Sequence, residues 1–135
     1  MRRPLFASLF ALVCLLAVGA STAKADPPAD LSGRWHGTWV SCKDGHSGCL
    51  NASFCKKCDN CYQVRFTGTF FAVLPFCFTV DMQVTGQTAD GKLILSGSHN
   101  LPLFGTYTFN AIAGNCDFTA TYTSCDDNGR FTLCR

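Results

Sequence analysis

From Leu31 to the end of the chain, apolar and polar residues alternate with a period of two. In the stretch YQVRFTGTFF, every second residue from Tyr62 to Phe70 is apolar or glycine, and those between are mainly Gln, Arg and Thr. Because successive side chains of a β-strand point to opposite faces, this pattern predicts strands with one buried face. Alternation recurs in RWHGTWV (34–40), FCFTVDMQV (76–84), LIL (93–95), LFGTYTFNA (103–111), FTATY (118–122) and FTL (131–133), with a weaker strand at 50–54.

Turn signals separate these segments, and the chain contains no segment with helical periodicity. The signals are Ala89-Asp90-Gly91, Ala113-Gly114-Asn115 and Asp126-Asp127-Asn128-Gly129, and Pro75 divides the longest apolar run. Short connections favour hairpins between sequence neighbours, and a meander of about eight strands loses its free edges by closing on itself. We therefore predict an all-β fold, a small up-and-down antiparallel barrel of about eight strands stabilised by disulfides. A two-sheet sandwich is the alternative.

Large rings and glycines share the predicted inner face. The rings are Trp35, Trp39, Phe66, Phe70, Phe78, Tyr107, Phe109 and Phe118, and the glycines are Gly37, Gly68, Gly97 and Gly105. A glycine on this face lets a strand bend sharply or lets a bulky neighbour occupy its place. The rings are enough to fill a small barrel, so the pattern allows a ligand cavity without requiring one.

The first 25 residues have the order of a secretory signal peptide. Arg2 and Arg3 precede an apolar run from Leu5 to Ala20, and Ala23-Lys24-Ala25 is a small-x-small cleavage site. The run is shorter than the roughly 20 residues that span a bilayer, so we expect cleavage and no transmembrane segment in the mature chain. We expect a secreted, periplasmic or cell-envelope protein. Its predicted parts are a signal peptide (1–25), a loose linker (26–30) and a single barrel domain (31–135).

Loss of the leader changes the charge of the chain. The whole sequence has 11 basic residues against nine aspartates, and without residues 1–25 eight basic residues remain, so the formal net charge falls from +2 to −1. This excludes the strongly basic surface that drives nucleic-acid binding. The chain has no glutamate, and its aspartates fall mostly in turns, so the paired carboxylates of a glycosidase are not indicated. We expect no catalytic residue.

Nine cysteines follow the leader, and an oxidising compartment makes disulfides their default state. They are Cys42, Cys49, Cys55, Cys58, Cys61, Cys77, Cys116, Cys125 and Cys134. Since nine is odd, at most four bridges form within the chain, and the sequence does not choose among the pairings. The remaining thiol is a candidate for a disulfide-linked dimer.

Five of these cysteines fall between residues 42 and 61, together with His46. The stretch FCKKCDNCYQ (54–63) resembles part of a bacterial ferredoxin motif but lacks the Cys-Pro that completes it, and no histidine follows a Cys-x-x-Cys unit as c-type haem requires. A zinc site remains chemically feasible. Its candidate ligands are Cys42, His46, Cys49, Cys55, Cys58 and Cys61. We expect structural disulfides and no cofactor, and keep a metal-binding or thiol-redox protein as the alternative.

Two resemblances follow from longer stretches. LSGRWHGTW (31–39) resembles the Gly-x-Trp opening strand of lipocalin-like and avidin-like barrels. Residues 37–54, 62–80, 95–111 and the terminal DNGRFTLCR resemble uncharacterised small secreted proteins of planctomycete-type bacteria. This second resemblance implies a small secreted protein, and it implies no particular activity. We expect a non-enzymatic binding or envelope-associated module with an unidentified partner.

Overall fold

The computed structural model describes residue 24 and residues 26–135, so the predicted signal peptide lies outside the described residues except for its residue 24. The described chain is all-β and forms a closed barrel of eight antiparallel strands, each paired with its sequence neighbours. The strands are β1 (Gly33–Ser41), β2 (Ser47–Cys58), β3 (Cys61–Phe70), β4 (Leu74–Gln87), β5 (Leu93–Leu101), β6 (Gly105–Ala113), β7 (Asp117–Thr123) and β8 (Asn128–Cys134). The predicted up-and-down barrel is confirmed. The described residues include no helix long and apolar enough to cross a membrane.

The barrel closes where β1 pairs with β8, through residue pairs that run from His36 opposite Cys134 to Ser41 opposite Gly129. Gly37 lies within this seam, opposite Leu133. A Cβ atom at Gly37 would collide with the main-chain carbonyl oxygen of Thr132. The two strands can therefore approach to pairing distance only because residue 37 has no side chain.

One end of the barrel is sealed by the chain that enters β1. The sequence predicted a loose linker over residues 26–30, but Ala29 and Leu31 are buried against the core, and the Ala29 amide donates to the Gly91 carbonyl oxygen at 3.1 Å. The indole of Trp35 donates to the carbonyl oxygen of Leu31 at 2.8 Å, which fixes the segment beneath the barrel. We call this the closed end.

Arg135 fastens the closed end from outside. Its guanidinium lies 4.6 Å from the ring centre of Trp35 and donates to the carbonyl oxygens of Ser32 and Asn115, at 2.7 and 2.6 Å. A third bond reaches the carbonyl oxygen of Asp30. One side chain thus joins the entering segment, the β6–β7 turn and the core.

The core within the closed half is packed with rings. The centroid of Phe54 lies 5.7 Å from that of Trp35, 6.3 Å from that of Tyr62 and 5.3 Å from that of Phe118, in tilted or edge-to-face arrangements. All four side chains are at most 3 % exposed. The rings thus fill this half of the barrel, which the sequence allowed without requiring it for the whole interior.

Three details of the strand prediction were wrong. The strand predicted at 50–54 is the middle of β2, which has 12 residues. The prediction was too short because outward-facing cysteines concealed the alternation of the flanking residues. Pro75 lies inside β4, and the chain turns earlier, where the Val73 amide donates to the Phe70 carbonyl oxygen at 3.1 Å. Leu103, which was assigned to an inner face, lies in the β5–β6 turn and is fully exposed.

The Gly37→Ala substitution is expected to destabilise the barrel by at least about 2 kcal/mol, because the added methyl group forces β1 away from β8. Gly86→Ala is the matched control, since a Cβ there makes an ordinary 3.6 Å contact with the Ile94 side chain. Urea unfolding of both variants measures the difference. Equal stabilities would show that the seam does not depend on close approach.

Candidate functional site

The end of the barrel opposite the closed end contains a cavity of about 470 Å³. It is surrounded by the turns that connect β1 to β2, β3 to β4, β5 to β6 and β7 to β8. Ten aromatic side chains line it, namely Trp39, Phe70, Phe71, Phe76, Phe78, Phe104, Tyr107, Phe109, Tyr122 and Phe131. The other lining residues include a few polar groups at the mouth. We call this the open end.

Glycines explain why rings line this cavity rather than fill it. Trp39 lies directly opposite Gly48 on the neighbouring strand, and Phe76 lies opposite Gly68. A Cβ at Gly68 would come 2.6 Å from the Phe76 ring, so that ring occupies the place of the absent side chain. A ring that lies flat over a glycine covers the wall and leaves the axis of the barrel open.

Two turns at the mouth hold apolar residues in the left-handed backbone region. Phe71 and Ala72 have φ of 52° and 60°, and Leu103 has φ of 73°. Each such non-glycine residue costs roughly 1–2 kcal/mol, and hairpin turns of this kind usually carry Asn-Gly. Phe71 is 65 % exposed and Leu103 is fully exposed. Exposed apolar side chains and local strain therefore coincide at the open end, as is common at functional sites.

Asp127 places a carboxylate at the edge of the aromatic wall. Its Oδ1 accepts a hydrogen bond from the Ser41 hydroxyl at 2.6 Å, and its Oδ2 accepts one from the Tyr122 hydroxyl at 3.1 Å. Ser41 and Tyr122 are both 4 % exposed, so the donors are rigid. Burial, together with the charge and hydrogen bond of Asp127, raises the pKa of Tyr122 far above its ordinary value, so the phenol remains a donor.

A second polar group at the mouth comes from the β1–β2 turn. The Nδ1 atom of His46 lies 2.6 Å from Asp44 Oδ2, and the His46 amide donates to Asp44 Oδ1 at 3.0 Å. The amide and ring of His46 hold the pKa of Asp44 below its ordinary value. The His46 ring also meets the Phe71 ring edge-on, with centroids 4.6 Å apart, so it joins two turns across the mouth.

The structure does not bring the candidate metal ligands together as a metal site. Cys49, Cys55 and Cys58 lie on β2, and their neighbours in the candidate set are distributed between the β1–β2 turn and the start of β3. No three His, Cys, Asp or Glu side chains in the described part of the chain come close enough together to hold a metal ion. Residues 42–61 form most of a hairpin rather than a loop, which explains why the spacing suggested a cluster that the fold separates.

Of the predicted disulfides, residues 26–135 contain one, between Cys58 and Cys61. These cysteines face each other across the two-residue turn of the β2–β3 hairpin, at the closed end, with Cα atoms 5.0 Å apart. The other cysteines of these residues are unpaired and exposed, namely Cys42, Cys49, Cys55, Cys77, Cys116, Cys125 and Cys134. The predicted disulfide-linked dimer stays a prediction.

Strand register explains why the strand cysteines remain unbridged. A disulfide needs Cβ atoms about 3.8 Å apart. Among residues on paired strands, directly opposed residues have the Cβ separation closest to this distance. The register places Cys49 opposite Thr38, Cys55 opposite Gln63, Cys77 opposite Thr67, and Cys134 opposite His36 and Asp117. Other side chains contact two of these thiols: Arg65 Nε donates to Cys77 Sγ at 3.2 Å, and His36 Nε2 lies 3.6 Å from Cys134 Sγ.

The sequence placed five of the lining rings on the inner face, namely Trp39, Phe70, Phe78, Tyr107 and Phe109, but it gave no site role to Asp127. The Asp126-Asp127-Asn128-Gly129 segment was interpreted as a hairpin turn, but the turn lies earlier, where the Ser124 amide donates to the Asp127 carbonyl oxygen at 2.8 Å, and Asn128 already belongs to β8. One signal was available. Where a glycine and a large ring fall on the same face of neighbouring strands, the ring is expected to lie against the wall of the barrel.

Comparison with family models, curated proteins and solved structures found no match to this chain.

Thiol labelling tests the cysteine assignment. In protein comprising residues 26–135 and isolated without reductant, intact-mass analysis after alkylation should show seven labels, and nine after reduction in denaturant, because only Cys58 and Cys61 are bridged among these residues. Reduction should lower the free energy of unfolding by no more than about 2 kcal/mol, since the bridge closes a four-residue loop. Four bridges with one free thiol would contradict the register argument.

Tyr122 should make stability depend on alkaline pH. The pKa of Tyr122 is raised in the folded state. Its contribution to the free energy of unfolding is therefore fully present below the pKa of the unfolded chain, near 10, and is lost as the pH rises above that value. Urea unfolding across this range should show a steeper loss of stability for the wild type than for Tyr122→Phe. Both proteins carry the same cysteines, so the effect of the thiols on stability is the same in the two pH profiles. Parallel pH profiles would show that the phenol is not protected by folding.

Proposed function

We propose that this protein is a non-enzymatic binding module that takes an apolar small molecule into the cavity at the open end. The observation that carries this proposal is a cavity of about 470 Å³ lined by ten aromatic side chains. Small-molecule sites typically measure about 300–1,000 Å³, are mostly apolar and contain a few polar groups that orient the ligand. Ser41, Tyr122 and Asp127 supply such a group at one edge.

The energetics of the two ends support the same proposal. At the closed end, rings pack against one another, and residues 29–31 exclude water. At the open end, apolar side chains of Phe71, Leu74 and Phe104 remain more than half exposed, which is unfavourable in water. Two turns of the same end add backbone strain. A ligand that covered these apolar side chains would remove them from water, and this would favour binding.

We also propose that the module acts outside the cytoplasm, on the basis of the leader pattern in residues 1–25. The metal-binding alternative draws no support from the described residues, where the candidate ligands stand apart. Among the described residues, the bridged pair available to the thiol-redox alternative is Cys58–Cys61, which lies in a hairpin at the closed end. Redox Cys-x-x-Cys pairs owe their activated thiolate to a helix N-terminus, which a hairpin does not supply.

Titration with N-phenyl-1-naphthylamine tests the proposal, because this uncharged dye becomes fluorescent in apolar surroundings. We expect saturable binding at one site. Phe104→Ser should weaken binding by roughly fivefold or more, since it removes part of the cavity wall at a position that is 57 % exposed and tolerant of change.

Ile112→Ser is the matched control for this titration. Ile112 is 47 % exposed on the outer wall of β6 and does not line the cavity, so its replacement should leave the affinity for the dye unchanged. Absence of saturable binding, or an equal loss in both variants, would overturn the proposed function.

A further inference from the structure

We propose that the natural ligand is an amphiphilic cation, an apolar body that carries a protonated amine, and that Asp127 is the group that binds the amine. This inference rests on the proposed function and specifies the chemistry of the ligand. The aromatic cavity would receive the apolar body, and the carboxylate at its edge would receive the charge. The ligand would thus be oriented with its amine toward the β7–β8 turn.

The hydrogen bonds of Asp127 orient the carboxylate without neutralising it. Each oxygen accepts one bond from an uncharged hydroxyl, of Ser41 or of Tyr122. A carboxylate has about four acceptor positions, so two remain for a ligand. The ion pairs found among the described residues join His46 to Asp44 and Lys92 to Asp117, and neither involves Asp127.

The remaining charges at the mouth favour the same sign of ligand. Among the described residues, three carboxylates line the open end, from Asp44, Asp126 and Asp127, against one ammonium group, that of Lys43. His46 adds a charge only when it is protonated. A cation therefore approaches a net negative mouth, whereas an anion would be repelled as it lost its water shell beside Asp127.

The aromatic wall next to Asp127 is itself suited to a cation. Tyr122 holds the carboxylate through its hydroxyl, and its ring lies 5.8 Å from the ring of Tyr107, which also lines the cavity. The faces of tyrosine and tryptophan rings attract ammonium groups within about 6 Å, and the attraction strengthens where water is excluded. An amine held by Asp127 would lie beside this aromatic wall, and its apolar body would contact the phenylalanines that line the cavity.

Three ligands with one skeleton and different charges separate this inference from the proposed function. They are 4-phenylbutylamine, 4-phenyl-1-butanol and 4-phenylbutyrate, measured by displacement of N-phenyl-1-naphthylamine and by calorimetry at neutral pH and low ionic strength. We expect the amine to bind at least roughly tenfold more tightly than the alcohol, and the carboxylate to bind more weakly than either. The advantage of the amine should shrink as salt is added.

Asp127→Asn keeps the size of the side chain and removes its charge, and it should reduce the advantage of the amine over the alcohol to less than about threefold. Asp59→Asn is the matched control. It removes the same charge from an exposed position in the β2–β3 turn at the closed end, so the full advantage of the amine should persist. If Asp127→Asn does not fold, the ranking of the three ligands on the wild type still decides whether the ligand is a cation.

The outcomes distinguish the two levels of the proposal. Equal affinity for the amine and the alcohol would overturn the cationic ligand and leave the proposed function standing. An amine advantage that survives in Asp127→Asn would overturn the assignment to this residue. If neither the dye nor any of the three ligands binds, the proposed function itself fails.

Discussion

The pairing of β1 with β8 is the constraint on which the rest of the structure depends. It removes the two free edges of an eight-stranded meander and turns one face of every strand toward a common axis. The contact is feasible because Gly37 has no side chain where the strands come closest. Since an eight-stranded barrel is narrow, its interior holds side chains in most of its length, and space for another molecule arises only where those side chains withdraw to the wall.

The two ends of the barrel use the same residue types in different ways. At the closed end, Trp35 and its neighbouring rings meet at the axis, while Arg135 secures the entering segment over them. At the open end, rings such as Trp39 and Phe76 lie over glycines of the adjacent strand. At these positions of the open end, a partner without a Cβ lets the ring lie against the wall beside the cavity.

Strand order and facing could be predicted from the sequence because alternation is a local property of the chain. Cysteine pairing could not, since it depends on which residues stand opposite after the barrel has closed; Cys134 meets His36, 98 residues away along the chain. The turn at Phe71 and Ala72 was missed for a related reason. Its sequence is typical of a strand, and only the surrounding barrel holds these residues at positive φ. The role of Asp127 likewise depends on Ser41, which is distant in sequence.

The glycine–ring pairs also bear on how selective the cavity is. A ring above a glycine has no Cβ beneath it, so it can swing about its own side-chain bonds while the strand that carries it stays in place. The outline of the chamber is therefore adjustable at Phe76, whereas the indole of Trp39 donates to the Thr69 carbonyl oxygen and the position of the Asp127 charge is fixed by two hydroxyl groups. A receptor of the kind proposed above would discriminate poorly between hydrocarbon shapes and sharply between electrical signs, which would suit it to a class of compounds rather than to a single one.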